Sequence, residues 1–95
     1  MIHSPSLPTI LLYARDGCHL CEETRDQLQA LLEERVRRGE PIARVREVDI
    51  DADPELKARY GDLIPVLALD GHELLLAMGR RAIDGFLDRV LPRLA

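Results

Sequence analysis

The sequence is short of the features that mark membrane, secreted and nucleic-acid-binding proteins. None of its apolar stretches approaches the ~20 residues that a membrane-spanning helix needs. Its 13 lysines and arginines are outnumbered by 17 aspartates and glutamates, and a net charge of -4 argues against nucleic acid as a partner. Residues 1–8 lack the positive start and apolar core of a secretory signal. We therefore expect a cytoplasmic protein that binds neither membrane nor nucleic acid.

Cysteine is also scarce, because Cys18 and Cys21 are the only two in the chain. The cytoplasm keeps thiols reduced, so a lone pair there is more often catalytic or metal-binding than a structural crosslink. A bridge across two intervening residues closes a very short loop and stabilises a fold little. Structural zinc needs four ligands, and the chain has no second Cys/His pair, so His19, His72 or another subunit would have to complete a site. Thiol redox chemistry is the favoured interpretation, and a metal-binding module is the alternative.

The 95 residues, of which 46% are apolar, suffice for one globular domain. We expect a flexible N-terminal arm over residues 1–8, where two prolines limit regular structure, and a single domain over residues 9–95. The apolar pattern predicts four strands and three helices. The strands cover residues 9–13, 43–50, 66–69 and 73–78, and the helices run from the CxxC to about Arg38, from Pro54 to Tyr60, and from about Arg81 onward.

The periodicity of the first helix predicts different environments for the two cysteines. Its apolar residues Leu28, Leu31, Leu32 and Val36 share one face, and steps of three and four residues trace that face back to Thr24 and Cys21. Cys21 should therefore face inward, while Cys18 lies at the exposed start of the helix. The arginines and glutamates of residues 33–40 are expected to form a solvated surface.

The order of elements predicts an α/β fold. Two strands joined by the first helix require a parallel, right-handed crossover. The Asp70-Gly71 turn between the last two strands predicts an antiparallel hairpin. The result is a β-α-β-α-β-β-α chain with a four-stranded mixed sheet and helices on both faces.

Several short motifs in this order resemble the thioredoxin superfamily, and in particular the small glutaredoxin-like proteins of bacteria. The CxxC at the start of the first helix and the Ile-Pro-Val that opens the third strand together make the resemblance specific. The matching residues are 13–21, Val48-Asp49-Ile50-Asp51, Asp53-Pro54-Glu55-Leu56, Tyr60-Gly61, Ile64-Pro65-Val66, Leu69-Asp70-Gly71 and Gly79-Arg80.

The resemblance implies a thiol–disulfide oxidoreductase with a thioredoxin-like, glutaredoxin-type fold. Cys18 would attack a substrate disulfide and Cys21 would resolve the mixed disulfide. Pro65 would be a cis proline against the disulfide, and the backbone of Ile64 would pair with an extended substrate. A thioredoxin-fold binding module with idle cysteines is a further alternative.

Other residues take expected roles around the dithiol. Arg15 stands where glutaredoxins have a lysine, and it adds positive charge beside a thiolate that the helix N-terminus already favours. His19, when protonated, would do the same, whereas the neighbouring Asp16, Glu22 and Glu23 oppose it. Leu20 is expected to contact the substrate or to cover the site.

The resemblance has departures that bear on glutathione. His19-Leu20 replaces the usual Pro-Tyr, and Gly79-Arg80 replaces the Gly-Gly that approaches glutathione, with Arg81-Ala82 where an acidic residue is usual. Gly79 and Arg80 are still expected to contact the substrate, with Arg80 and Arg81 as candidates to receive an anionic group on it, although a solvated helix start is the alternative. The chain also lacks the tryptophan of the thioredoxin site proper. We expect no tightly bound cofactor, glutathione as a possible co-substrate, and a monomer. The expected partners are a disulfide-containing protein or small thiol as substrate and a thioredoxin- or glutathione-type reductant.

Overall fold

The computed structural model describes residues 7–91, and the predicted α/β order is confirmed. Of the predicted N-terminal arm, only Leu7 and Pro8 are among the described residues, and residues 1–6 lie outside them. Within these described residues there are three helices and four strands, with one short 3-10 turn at Ile50–Ala52. The strands are β1 (Thr9–Ala14), β2 (Arg44–Asp49), β3 (Val66–Leu69) and β4 (His72–Leu74), and the helices are α1 (His19–Arg37), α2 (Pro54–Tyr60) and α3 (Arg80–Val90).

The sheet is mixed, as predicted, with the strand order β2-β1-β3-β4. β1 and β2 are parallel and pair residue for residue, without a bulge, from Thr9–Arg44 to Ala14–Asp49. β3 is antiparallel to both β1 and β4. Because parallel β1 and β2 end at the same edge, the loop after β1 and the 3-10 turn after β2 are neighbours.

The two faces of the sheet carry separate cores. Ile10, Leu12 and Ala14 of β1 are buried against α1 and α3, and together with side chains of β3 they form the larger core. Tyr13 points to the other face, where Ile50, Tyr60 and Val66 form a smaller core with α2. Helices therefore lie on both faces, although the second face is only partly covered and β1 alternates between buried and half-buried residues.

The interior face of α1 departs from the predicted stripe at its C-terminal end. Leu28, Leu31 and Leu32 are buried as predicted, but Val36 is 56% exposed and Arg35 takes the inward position with 5% exposed. The Arg35 guanidinium donates to Asp84 Oδ1 at 2.7 Å and Asp88 Oδ1 at 2.9 Å, both on α3. The prediction of a solvated surface is therefore wrong at Arg35, because its carboxylate partners on α3 allow the charge to be buried.

The fourth strand is shorter than predicted. The sequence pattern extended it over residues 73–78, whereas β4 ends at Leu74 and the chain turns at Leu76, which has a φ of 49°. Two hydrogen bonds hold the turned segment against the loop before β3: the Leu76 N–H donates to the Leu63 carbonyl at 2.9 Å, and the Ala77 N–H donates to the Pro65 carbonyl at 2.7 Å. These bonds bring residues 75–78 beside the Ile64–Pro65 loop, instead of continuing the hairpin.

Within residues 7–91, none of the helices combines the length and apolar character needed to cross a membrane.

Candidate active site

The two cysteines form a disulfide at the start of α1. Cys18 is the N-cap residue, and its Sγ accepts a hydrogen bond from the Cys21 N–H at 3.1 Å. The Cα atoms of the two residues are 5.2 Å apart. Cys21 is 1% exposed and belongs to the larger core, whereas Cys18 is half-buried, so the inward placement predicted for Cys21 is confirmed. A sulfur at this cap faces the free amides of the first turn, which favour a thiolate when the bond is reduced.

The positive charges expected around Cys18 are paired with carboxylates. The Arg15 guanidinium donates to Asp51 Oδ1 at 3.2 Å, which ties the loop after β1 to the 3-10 turn after β2. The His19 ring nitrogens lie 3.8 Å from a Glu22 oxygen and 3.3 Å from a Glu23 oxygen. These pairs weaken the positive field that Arg15 and a protonated His19 would offer a thiolate.

A cavity of about 230 Å³ opens beside the disulfide. Cys18 and Cys21 line one side, and the end of β2 lines the other. Arg25 and Glu47 pair across it, with a guanidinium nitrogen 3.3 Å from Glu47 Oε1. Sequence reasoning overlooked both residues, although Arg25 follows Cys21 by four positions on the helix and Glu47 lies near the carboxyl end of the strand paired with β1.

The Ile64–Pro65 peptide bond is cis, as the resemblance implied. Pro65 is fully buried, and Ile64 is half-buried and packs against the core cluster that contains Cys21. The N–H and carbonyl of Ile64 have no backbone partner within residues 7–91.

Thr24 connects α1 to the proline loop and was not singled out as a site residue. Its buried hydroxyl donates to the Ala77 carbonyl at 2.6 Å, while the Ala77 N–H donates to the Pro65 carbonyl. Thr24 lies one helical turn beyond Cys21 on the same face. The buried cysteine and the cis-proline loop are thus held together through one threonine and one backbone segment.

The start of α3 is arranged differently from the start of α1. Gly79 is the N-cap with a φ of 91° and supplies no side-chain cap. The guanidinium of Arg80 contacts both carboxylate oxygens of Glu34 at 2.8 and 2.5 Å. Glu34 is 13 residues beyond Cys21, about 20 Å along the helix at 1.5 Å per residue. The structure therefore brings Cys18, Cys21 and Ile64 to one core cluster, leaves Leu20 exposed between the cysteines, and directs the Arg80 charge away from them.

The described part of the chain offers no cluster of side chains for a metal ion. Over residues 7–91, no three or more His, Cys, Asp or Glu side chains are grouped so that they could hold an ion.

Known proteins resemble this chain along most of its length. Residues 9–91 match the family described as Glutaredoxin-like domain (DUF836). An uncharacterized protein of Mycobacterium tuberculosis, Rv0508, is 37% identical over 71 residues, which are 72% of this chain and 69% of the relative.

Solved structures agree with the fold. Protein XcR50 from X. campestris superposes with a TM-score of 0.64 at 30% identity, covering 84% of this chain and 96% of that one. Protein Ne2328 from Nitrosomonas europaea gives 0.66 at 26% identity over 90% and 98% of the two chains. A glutaredoxin from Brucella melitensis shares the fold, with a TM-score of 0.54 at 22% identity over 92% and 86%. Since the matched region runs from the first residue of β1 to the residue after α3, the chain belongs to the glutaredoxin-like domain family.

Proposed function

We propose that this protein is a thiol–disulfide oxidoreductase of the cytoplasm, with Cys18 as the attacking sulfur and Cys21 as the resolving one. The observation that carries the proposal is the unequal burial of a bonded pair at a helix start. Cys18 is half-buried at the N-cap, and Cys21 is closed off in the core one turn inside. A structural crosslink does not require its two cysteines to differ in exposure, whereas a two-step exchange reaction requires an accessible first sulfur and a shielded second one.

The exchange proceeds in two balanced steps from the reduced protein. The Cys18 thiolate attacks one sulfur of a substrate disulfide; a Cys18–substrate disulfide forms, the substrate S–S bond breaks, and the released thiolate takes up a proton. The Cys21 thiolate then attacks the Cys18 sulfur, the Cys18–Cys21 disulfide forms, and the second substrate thiol leaves. Two electrons pass to the substrate, and a dithiol or two monothiols of thioredoxin or glutathione type must return them.

Each step has a structural support. The N-cap position and the Cys21 N–H stabilise negative charge on the Cys18 sulfur. The open backbone of Ile64 offers an extended substrate a partner for hydrogen bonds. Burial of Cys21 shields the second thiol from other reactants until the mixed disulfide has formed.

The first prediction concerns trapping of the mixed disulfide. Cys21→Ser should accumulate a covalent Cys18–substrate species with a disulfide substrate, because the resolving thiol is gone, while Cys18→Ser should be inactive. Intact-mass spectrometry measures both. Cys21→Ala should behave as Cys21→Ser does, which controls for the cost of a buried hydroxyl.

A redox titration of the unmodified protein against dithiothreitol supplies the companion measurement. The proposal expects reversible interconversion of the dithiol and the disulfide. A pair that never oxidises would favour a binding module with idle cysteines, and stoichiometric zinc in the purified protein would favour a metal-binding module. Either result contradicts the oxidoreductase.

A further inference from the structure

Three exposed apolar side chains lie on the two segments that carry the disulfide and flank the cis proline, and they support an inference about the substrate. Leu20 is 47% exposed in the first turn of α1, between the cysteines, and Leu76 and Met78 are 47% and 41% exposed in the segment held beside Pro65. We call Leu20, Leu76 and Met78 the apolar rim. The hydrogen bonds from Leu76 to Leu63 and from Ala77 to Pro65 fix the second half of the rim to the loop that packs near Cys21.

Leu76 adopts a backbone conformation that is rare for leucine. Its φ of 49° is in the left-handed region, which side chains other than glycine, asparagine and aspartate rarely adopt. With nearly half of its side chain in water, burial offsets little of this strain. Strained residues of this kind cluster at active sites and ligand-binding surfaces.

The charges around the site disfavour an anionic substrate. Asp16, Glu22 and Glu23 are exposed near Cys18, while the Arg15 cation is paired with Asp51. The Arg80 cation is paired with Glu34, far along α1. Glutathione carries two carboxylates and one ammonium group, so its net charge is repelled, and Arg15 and Arg80 are each already paired with a carboxylate of the protein.

We propose that the substrate of this site is a polypeptide disulfide whose cysteine is flanked by apolar residues and a basic residue, and that glutathione disulfide is a poor substrate. The apolar rim buries the flanking side chains, the backbone of Ile64 pairs with the extended chain, and the carboxylates near Cys18 attract the basic residue. This inference rests on the proposed oxidoreductase function and names its substrate class.

The test compares three disulfides at equal concentration with the fully reduced protein. One is a disulfide-linked peptide with leucine and arginine beside its cysteine, the second is the same peptide with serine and aspartate there, and the third is glutathione disulfide. Formation of the Cys18–Cys21 bond is followed by quenching and mass spectrometry. The first peptide should react at least about tenfold faster than either of the others, as expected for burial of one large apolar side chain.

Variants of the rim identify the surface responsible. Leu76→Ser should reduce the rate with the leucine–arginine peptide several-fold and leave the rate with glutathione disulfide unchanged. Leu76→Gly should do the same while melting no lower than Leu76→Ser, because glycine adopts this φ without strain. The matched control is Val36→Ser, another exposed apolar residue, 15 residues beyond Cys21 on α1, which should change none of the rates.

Two outcomes would overturn the inference without touching the oxidoreductase function. One is an equal or faster reaction with glutathione disulfide, and the other is a Leu76→Ser rate with the leucine–arginine peptide that matches the unmodified protein. The dithiothreitol titration reports the oxidoreductase function separately, because a small dithiol reaches the sulfurs without using the rim.

Discussion

At the scale of single residues, the buried hydroxyl of Tyr60 connects α2 to the hairpin. It donates to a carboxylate oxygen of Glu73, and its ring stacks on Tyr13 with centroids 4.4 Å apart. Burial, followed by the hydrogen bond to Glu73, raises the pKa of Tyr60 from 10.0 to about 12. The proton is therefore held more tightly in the folded protein than in the unfolded chain.

This shift predicts a loss of stability at alkaline pH. The contribution of Tyr60 is complete below pH 10.0 and is lost as the pH rises toward about 12, because the folded phenol must then ionise in a buried position. In a Tyr13→Phe protein, which leaves Tyr60 as the only tyrosine, the tyrosinate absorbance should titrate near 12. Urea unfolding across the same range should show the matching decrease in the free energy of unfolding.

Two variants check the cause. Glu73→Gln should lower the pKa of Tyr60, since an amide oxygen accepts the hydroxyl proton less strongly than a carboxylate. Tyr60→Phe should remove the Tyr60 contribution to the alkaline decrease in stability. A folded midpoint that stays near 10 in the Tyr13→Phe protein would show that the hydroxyl is hydrated and the proposed contact with Glu73 absent.

Residue spacing predicts the burial of the two cysteines better than it predicts the partners of the residues around them. The division into a half-buried Cys18 and a buried Cys21 follows from the helical period alone, because both lie on one helix. The partners of Arg15 and Arg80 are 36 and 46 residues away in the chain, so no local pattern indicates that these cations are already paired. Thr24 was traced correctly to the inner face, but its bond to Ala77 depends on where β4 ends.

At the scale of elements, α1 and α3 are joined by the buried guanidinium of Arg35. Burial opposes the charged form, and the hydrogen bonds to Asp84 and Asp88 more than offset it, so the pKa of Arg35 is raised. Both carboxylates remain roughly half exposed, so water can solvate them if the guanidinium is removed. The long alkyl stem of Arg35, by contrast, fills space between the helices that water would not fill favourably.

We therefore expect side-chain volume to matter more than charge at this position. Arg35→Ala should lower the free energy of unfolding by about 2 kcal/mol, through lost packing between the helices. Arg35→Met should lower it by less than about 1 kcal/mol, since buried ion pairs are often replaceable by apolar groups of similar volume. Urea unfolding measures both, and the exposed Arg37→Ala is the control, with an expected change within about 0.5 kcal/mol.

Equal losses in Arg35→Met and Arg35→Ala would contradict this expectation and assign the stability to the ion pairs.

The same position explains why the end of the α1 stripe was predicted wrongly. Steps of three and four residues from Leu32 lead to Arg35 and Val36 respectively, and hydropathy selects Val36. Asp84 and Asp88 on α3 decide that Arg35 and not Val36 faces inward, and the sequence of α1 alone gives no information about these partners.

A second difference at the scale of elements is the length of β4. Residues 73–78 contain an apolar run that is compatible with a strand, and the pattern gives no reason to stop at Leu74. What ends the strand is a pair of backbone hydrogen bonds to Leu63 and Pro65, made possible by the left-handed conformation of Leu76. The hydropathy pattern does not predict the turn at Leu76, because leucine is not a residue typical of turns.

For the whole molecule, the order of elements was sufficient to predict a mixed sheet. A βαβ unit must be parallel, and a tight Asp-Gly turn must be antiparallel, so the strand directions within each of these two pairs follow without knowledge of long-range contacts. The antiparallel pairing of β1 with β3 does not follow from these rules and is given by the structure. The order β2-β1-β3-β4 then places the loops after β1 and β2 at one edge, where Arg15 meets Asp51 and the disulfide cavity opens. The fold thus positions the disulfide and the cavity beside it.

The last prediction concerns the stability of the whole molecule in its two redox states. A disulfide that closes so short a loop removes little entropy from the unfolded chain, about 2 kcal/mol at most in the chain-entropy model. In the reduced protein, the amides at the start of α1 stabilise the Cys18 thiolate and oppose even this difference. The oxidised and reduced proteins should therefore differ in free energy of unfolding by no more than about 2 kcal/mol.

Urea unfolding of the oxidised protein and of the protein in excess dithiothreitol measures this difference directly. Because folding and reduction form a closed cycle, each 1.4 kcal/mol of difference shifts the reduction potential of the folded pair from that of the unfolded pair by about 30 mV. A small difference keeps the pair easily cycled by cellular dithiols, as an oxidoreductase requires. An oxidised protein more stable by over about 4 kcal/mol would instead mean that the bond serves as a structural crosslink. The Cys18→Ser protein, which forms no bond in either condition, should show no difference, and it controls for effects of the reductant on the rest of the fold.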